Sequence, residues 1–254
     1  MALPRIIPVL LLNEDGLVKT IKFKNPNYLG DPINAVKIFN DKLADEIIIL
    51  DITASMLGGK PNFGLIEDIG AEAFMPFAYG GGISSIEEGL RILKAGAEKL
   101  ILNSIVFQKE EVIRELSKLI GSSSTVVSID IKKNLFGRYK VFSQRGSKNM
   151  NLDPIEHAKR MIEFGVGEIF LNFIDLDGMM CGYDMGYSKL FAQSLDVPVV
   201  VCGGSRSYDD FTDMFRNTQV SGCAAGSVFI YNGPLRGYLI NYPNVEELSD
   251  KLKL

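Results

Sequence analysis

The chain is short of cysteine, of cationic excess and of long apolar runs, and each shortage excludes a class of protein. Only three cysteines occur in 254 residues, Cys181, Cys202 and Cys223. They lie far apart, form no C-x-x-C pair and make no even framework. A disulfide scaffold is excluded, and a reducing cytoplasm is the simplest setting. No residue spacing suits a metal, and no cofactor is expected. Lys and Arg number 27 against 31 Asp and Glu, a net charge of −4, so no basic face is offered to nucleic acid. No apolar run reaches about 18 residues, so no membrane span is expected. The N-terminal apolar stretch ends at Asn13-Glu14-Asp15 without a small-residue cleavage site. It reads as a strand and not as a signal peptide.

What is present is a globular composition, 46% hydrophobic and 23% charged, with enough apolar surface to offset ordering entropy. Eight short apolar runs recur: Ile6–Leu12, Ile47–Leu50, Phe74–Tyr79, Leu100–Asn103, Thr125–Ile131, Glu168–Asn172, Val197–Val201 and Ser221–Ala225. Amphipathic stretches such as Ser84–Lys94, Glu110–Leu119, Pro154–Phe164 and Tyr208–Phe215 lie between them. Near-continuous apolar strands indicate a parallel sheet covered by helices. Eight β-then-α units predict an α/β fold, a (β/α)₈ TIM barrel. The alternative is a doubly wound open sheet, but no G-x-G-x-x-G follows the first strand.

The sequence also repeats itself. Pro76-Phe-Ala-Tyr-Gly80-Gly81-Gly82 resembles Pro198-Val-Val-Val-Cys202-Gly203-Gly204, and Ala44-Asp45-Glu46-Ile47 resembles Val166-Gly167-Glu168-Ile169, both at a spacing of 122 residues. Gly16-Leu-Val-Lys19 resembles Gly137-Arg-Tyr-Lys140 at a spacing of 121. Two half-barrels, about 1–120 and 121–254, are therefore expected to share one pseudo-twofold axis. Neither half closes a sheet alone, so residues 1–254 are expected to form one domain.

The glycine pairs end two of the apolar runs, each just ahead of a helix start. Ser84, with Glu87 three residues on, reads as an N-cap with capping-box spacing. Glycine lets backbone N–H groups approach an anion, and a helix start adds a positive dipole end. The next run of each half ends in Asn103-Ser104 or Gly226-Ser227. The alternative, tight turns only, is weakened by the matched copies. Two phosphate sites on opposite sides of the barrel mouth imply a ligand with a phosphate at each end.

Asp130 closes the fifth run and suits general acid/base work. Asp51, Asp175 and Asp177 follow other runs and are candidates for the same work or for Asx-turns. Aligning Ile7–Leu11 with Val126–Asp130 puts Leu11 where Asp130 stands, so one of two opposed carboxylates is missing. Asn13 to Asp31 reads as a long polar loop carrying Lys19, Lys22 and Lys24, either a lid over an anion or a solvated segment. Arg5, Glu46, Lys99 and Glu168 precede strands and fall at the barrel bottom, as a salt-bridged ring or as ordinary surface charges. His157 reads as surface, and Tyr183, Tyr187, Tyr238 and Tyr242 as packing. Cys202 and Cys223 read as small core or lumen residues.

These residues carry a family resemblance over essentially the whole chain. Arg5-Ile-Ile-Pro, Asp51-Ile-Thr-Ala-Ser55, Gly80-Gly-Gly-Ile-Ser84, Lys99 with Asn103-Ser104, Ser128-Ile-Asp130, Asp175-x-Asp177-Gly178 and Gly203-Gly204 resemble the cyclase subunit of imidazole glycerol phosphate synthase. The resemblance implies a barrel of two fused halves with a glutaminase subunit docked below. Ammonia from glutamine then crosses the barrel to a bis-phosphorylated ribulosyl substrate. It implies that Arg5, Glu46, Lys99 and Glu168 gate the ammonia, that Glu98 faces the glutaminase, and that Lys19 is a mobile-loop lysine. Gly81, Gly82, Asn103 and Ser104 would hold one phosphate, and Gly178, Gly203, Gly204, Gly226 and Ser227 the other. Asp130 would be catalytic, with Asp51, Lys19 and Asp177 in support.

Two departures stand out. The family's strand-one Cys-Leu-Asp reads Val9-Leu10-Leu11, and Met179-Met180 replaces Thr and a polar residue after Gly178. The chain looks more like divergent paralogues that serve a sugar amidotransferase and convert acetamido to acetamidino groups on surface-polysaccharide sugars. The alternatives are a histidine-pathway cyclase and a non-catalytic, phosphoanion-binding activator of a glutaminase. An isomerase on the sister half-barrel fold fits less well, since that chemistry also wants two opposed carboxylates.

Overall fold

The computed structural model describes residues 5–54, 59–233 and 235–243; Ser55 of the second motif lies outside them. Eight parallel strands form the barrel: β1 (Arg5–Asn13), β2 (Ile47–Asp51), β3 (Phe77–Gly80), β4 (Lys99–Leu102), β5 (Thr125–Lys133), β6 (Glu168–Phe173), β7 (Val199–Cys202) and β8 (Gly222–Ala225). Each pairs with the next, and β8 returns to β1. The sheet is closed, as expected for a (β/α)₈ barrel, and the open-sheet alternative falls.

Alternation along the strands divides the apolar residues in two. Ile7, Val9 and Leu11 of β1 join Ile48, Ala78, Ile101, Val126, Phe170, Val200 and Ala224 inside the barrel. Ile6, Leu10 and Leu12 join the larger core between barrel and helices.

Helices α1 (Pro32–Asp41), α2 (Phe63–Glu72), α3 (Ile86–Lys94), α4 (Glu110–Ile120), α5 (Pro154–Glu163), α6 (Met185–Gln193), α7 (Tyr208–Asn217) and the short α8 (Ser227–Ile230) follow the strands. The two halves start their first helix identically. Asp31 caps α1 with Pro32 behind it, and Asp153 caps α5 with Pro154 behind it. The carboxylate satisfies two N–H groups at the helix start, and the proline lacks only a donor that would go unused.

Several local expectations need correction. Strands β3 and β7 begin at Phe77 and Val199, later than Phe74 and Val197, because Pro76 and Pro198 have no N–H to give the ladder. Each proline carbonyl still accepts from the neighbouring strand, at Ile47 and Ile169. The N-cap of α3 is Ser85, not Ser84; Ser84 instead donates both its N–H and its hydroxyl to Glu88.

Asn13 to Asp31 is not a polar loop but a hairpin. Its strands, Gly16–Ile21 and Lys24–Gly30, extend the outer half of β1. The second half repeats the device: Tyr139–Ser143 pairs antiparallel with β5, and Lys148–Asn149 with it. Register corrects the repeat here. Val18 pairs with Leu11 and Phe142 with Asp130, so Lys19 corresponds to Ser143 and not to Lys140. The longer turn before Tyr139 shifts the alignment.

His157 is not a surface residue. It faces inward from α5 and stacks on Phe107, with centroids 5.1 Å apart.

Candidate functional site

At the N-terminal ends of the strands, four side chains close an alternating ring. The Arg5 guanidinium donates to Glu46 and, at 2.8 Å, to Glu168; Lys99 Nζ lies 3.0 Å from Glu46 and 3.3 Å from Glu168. Each carboxylate is shared by two cations. Burial alone would lower the Arg5 pKa, but the facing Glu168 and Glu46 charges raise it above its ordinary value. The ring joins the first residues of β1, β4 and β6 and the residue just before β2. Glu98, beside Lys99, is exposed on the same end.

At the opposite end lies a cavity of about 290 Å³. Its walls bring together Gly81, Gly82, Asn103, Ser104, Asp51, Asp130 and Leu11. Gly81 has φ +124°, and a Cβ there would lie 2.3 Å from the Asp51 carbonyl oxygen. Only glycine lets this backbone turn against β2 and face the cavity.

Asp130 projects into the barrel mouth. Ser128 Oγ donates to Oδ1 at 3.1 Å and Asn103 Nδ2 to Oδ2 at 3.0 Å, with Asn172 as a further partner. Burial outweighs these hydrogen bonds and pushes the carboxyl up to about 7. Such a group exchanges a proton near neutrality, as a general acid/base must. Asp51 is held differently. It accepts from Thr53 N and Ala54 N, both at 2.9 Å, and from the Tyr79 hydroxyl at 3.3 Å. Burial raises its pKa, but its oxygens are tied into an Asx-turn.

A second, narrower cavity of about 20 Å³ is lined by Gly178, Gly203, Gly204, Gly226, Ser227, Lys19 and Asp177. Gly204 has φ +105°, and a Cβ would lie 2.2 Å from the Gly182 carbonyl oxygen. Lys19 is only 6% exposed, its Nζ 3.6 Å from Asp177 Oδ1. Asp177 also accepts from Thr20 Oγ1 at 2.7 Å and Phe23 N at 3.1 Å, so it ties down the first hairpin. Asp175 accepts from Lys133 N and anchors the outer end of β5. Met179 is exposed and Met180 lines the second cavity.

All nine expected cradle residues thus fall at the barrel mouth, five at one cavity and four at the other. Cys202 also lines the second cavity, and Cys223 is fully buried. Tyr183 donates to the Ala224 carbonyl and Tyr242 to that of Ile6, consistent with packing. Tyr187 packs against Tyr139 and Phe173, whereas Tyr238 is 49% exposed. Among the described residues no cluster suits a metal ion, and no helix is long and apolar enough to cross a membrane.

Ser128 belongs to the Ser128-Ile-Asp130 motif, but Asn172, Thr20 and Arg145 are not among the expected site residues. Asn172 is a polar residue inside an apolar strand, a signal that it faces something polar. Thr20 and Arg145 gave no such signal, because their roles depend on where the hairpins fold.

The register shows what Leu11 replaces. Leu11 pairs with Leu50 across β1 and β2; Asp130 pairs with Asn172 across β5 and β6. One wall of the mouth is therefore apolar where its counterpart carries a carboxyl and an amide.

The sequence resembles known proteins. Residues 5–236 match the family described as histidine biosynthesis protein. The chain is 47% identical over 245 residues to a Pseudomonas aeruginosa protein named provisionally as imidazole glycerol phosphate synthase subunit hisF2, covering 96% of this chain and 98% of that one. It is 48% identical over 248 residues to a provisionally named HisF subunit of Leptospira interrogans, covering 97% and 98%. To the imidazole glycerol phosphate synthase subunit HisF of Petrotoga mobilis it is 37% identical over 232 residues, covering 91% and 92%. On the match over residues 5–236 and the identity to these relatives along nearly their whole length, the chain belongs to the histidine-biosynthesis family, as a HisF-like cyclase subunit of the imidazole glycerol phosphate synthase type.

Proposed function

We propose that this chain is the ammonia-receiving synthase subunit of a glutamine amidotransferase complex, diverged so that it no longer cyclises a ribulosyl substrate. The observation that carries this reading is Leu11 opposite Leu50 at the place where the other half sets Asp130 opposite Asn172. A leucine neither moves a proton nor holds a charge, and loss of an acid/base group costs roughly 10²–10⁴-fold in rate.

The bottom ring gives the complementary argument. A glutaminase docked below, against Glu98, delivers ammonia to Arg5, Glu46, Lys99 and Glu168. Above the ring the lumen is lined by Ile7, Ile48, Ala78, Val126, Phe170 and Val200. Ammonium would have to shed its hydration against these side chains, whereas neutral ammonia would not. At the mouth the two glycine cradles hold the phosphate ends of an anionic ligand, and Asp130 is the remaining acid/base. The ammonia is then passed on to a partner sugar amidotransferase, where its nitrogen replaces the oxygen of an acetamido group on a surface-polysaccharide sugar to give an acetamidino group, the oxygen leaving as water. This acceptor rests on the likeness to the divergent paralogues.

The 37% identity to the Petrotoga HisF subunit favours a second reading, a histidine-pathway cyclase working with Asp130 alone. One experiment separates the two. The purified chain is assayed for ammonia-dependent turnover of the bis-phosphorylated ribulosyl substrate, at high ammonium and alkaline pH, beside Leu11→Asp. The proposal expects no turnover by the unaltered chain and some by Leu11→Asp. Turnover by the unaltered chain at ordinary enzyme rates would establish the second reading.

A further inference from the structure

The two cradles differ in the cation that faces them. By strand register Lys19 corresponds to Ser143, each being the residue after the one that pairs with Leu11 or Asp130. Lys19 brings an ammonium into the second cavity, against Gly203, Gly204 and Ser227. Ser143 is equally buried, at 3% exposed, but brings no charge. The first cavity also contains the carboxyls of Asp51 and Asp130. An entering dianion would meet like charge there unless a cation compensates.

Two residues beyond Ser143 the chain supplies one. Gln144, Arg145 and Gly146 take φ values of 52°, 55° and 75°, a left-handed run that turns the hairpin tip over the mouth. Non-glycine residues adopt this conformation uncommonly, mostly in tight turns. Here the tip is wedged in place: a Cβ on Gly146 would lie 3.0 Å from Ile174 Cδ1 and 3.5 Å from the Phe23 ring. Phe23 is the tip of the first hairpin, so the two hairpins meet above the mouth. The turn puts Arg145, half-buried, on the wall of the first cavity with Gly81, Gly82 and Ser104. The other cation on that wall, Lys60, is exposed.

We propose that Arg145 is the cationic ligand of the first cradle, binding a phosphate monoester there in the place that Lys19 fills at the second. A guanidinium offers a phosphate two parallel N–H donors, which suits it to a cradle otherwise made of backbone amides. The inference rests on reading Gly81, Gly82 and Ser104 as an anion cradle.

The test is titration of the full chain with inorganic phosphate, followed by the backbone amide NMR shifts of Gly81 and Gly82 for the first cradle and of Gly203 and Gly204 for the second. In Arg145→Ala the first-cradle Kd rises about tenfold or more, while the second is unchanged and serves as the folding control. Arg145→Lys recovers part of the loss, since charge returns without the fork. An unchanged first-cradle Kd in Arg145→Ala would overturn the role of Arg145 and leave the cradle standing. Gly81 and Gly82 amides that ignore phosphate in the unaltered chain would overturn the cradle reading itself, and Arg145 with it.

Discussion

Leu11 and Asp130 hold the same position in the two halves of one barrel, each one pair deep at the outer end of its strand: Leu11 beside Leu50, Asp130 beside Asn172. At that level of the mouth one side is thereby polar and the other apolar. The first prediction follows from this asymmetry. Leu11→Asp puts a carboxyl among Val9, Ile48 and Val18. Unfolding in denaturant should show a loss of about 2–4 kcal/mol at pH 8. The loss should shrink at pH 5, where the buried carboxyl is protonated. A pH-independent loss would mean that the new side chain escapes into the cavity.

Asp130 carries the opposite cost in the unaltered chain. Burial pushes its carboxyl up to about 7, well above the ordinary aspartate range. A raised carboxyl favours folding below its unfolded value, and that advantage is lost as pH rises through 7, where burial of the charge opposes the fold. Asp130→Asn should therefore abolish any acid/base activity yet raise stability at pH 8 by about 1–4 kcal/mol. At pH 4 the two proteins should unfold at nearly the same denaturant concentration. Equal stability at both pH values would mean that Asp130 is solvated in the folded state.

The bottom ring tests as a unit. Lys99→Ala leaves Glu46 and Glu168 facing each other with Arg5 as the one remaining cation of the ring. Removing one partner from a desolvated set costs more than an exposed pair would, about 2–4 kcal/mol. In the proposed complex it should also lower glutamine-driven product formation while leaving ammonium-driven formation near its original rate. Equal loss with both nitrogen sources would place the damage at the mouth and count against the ring as the entry point for ammonia.

His157 sets an acid limit. Burial pushes its imidazole down to about 4, with Arg160 adding to the effect, and Nε2 is buried without a hydrogen-bond partner. The unfolded chain takes up this proton near pH 6.5 and the folded chain only near 4, so stability falls as pH drops between those values. His157→Phe should keep the stack on Phe107 and flatten stability between pH 6.5 and 4, a difference of up to about 3 kcal/mol at the acid end. Parallel acid unfolding of the two proteins would remove His157 as the cause.

The barrel is legible in the amino-acid sequence, because a parallel strand buried on both faces leaves an apolar run that nothing else in the chain imitates. The repeat is equally legible there, since Gly81-Gly82 and Gly203-Gly204 recur at one spacing, as is Leu11 at the position that matches Asp130. Those features are local or periodic. The rest emerges on folding, because it depends on register and on which side chains meet across the lumen. The polar segment after β1 folds as a hairpin because it adds to the exposed outer half of that strand. His157 is buried because α5 turns that face toward Phe107. Lys19 answers to Ser143, and Arg145 enters the mouth, because two hairpins of unequal turn length are laid over one cavity. The closed ring of Arg5, Glu46, Lys99 and Glu168 likewise needs four strands brought around a common axis, at sequence separations that no local pattern records.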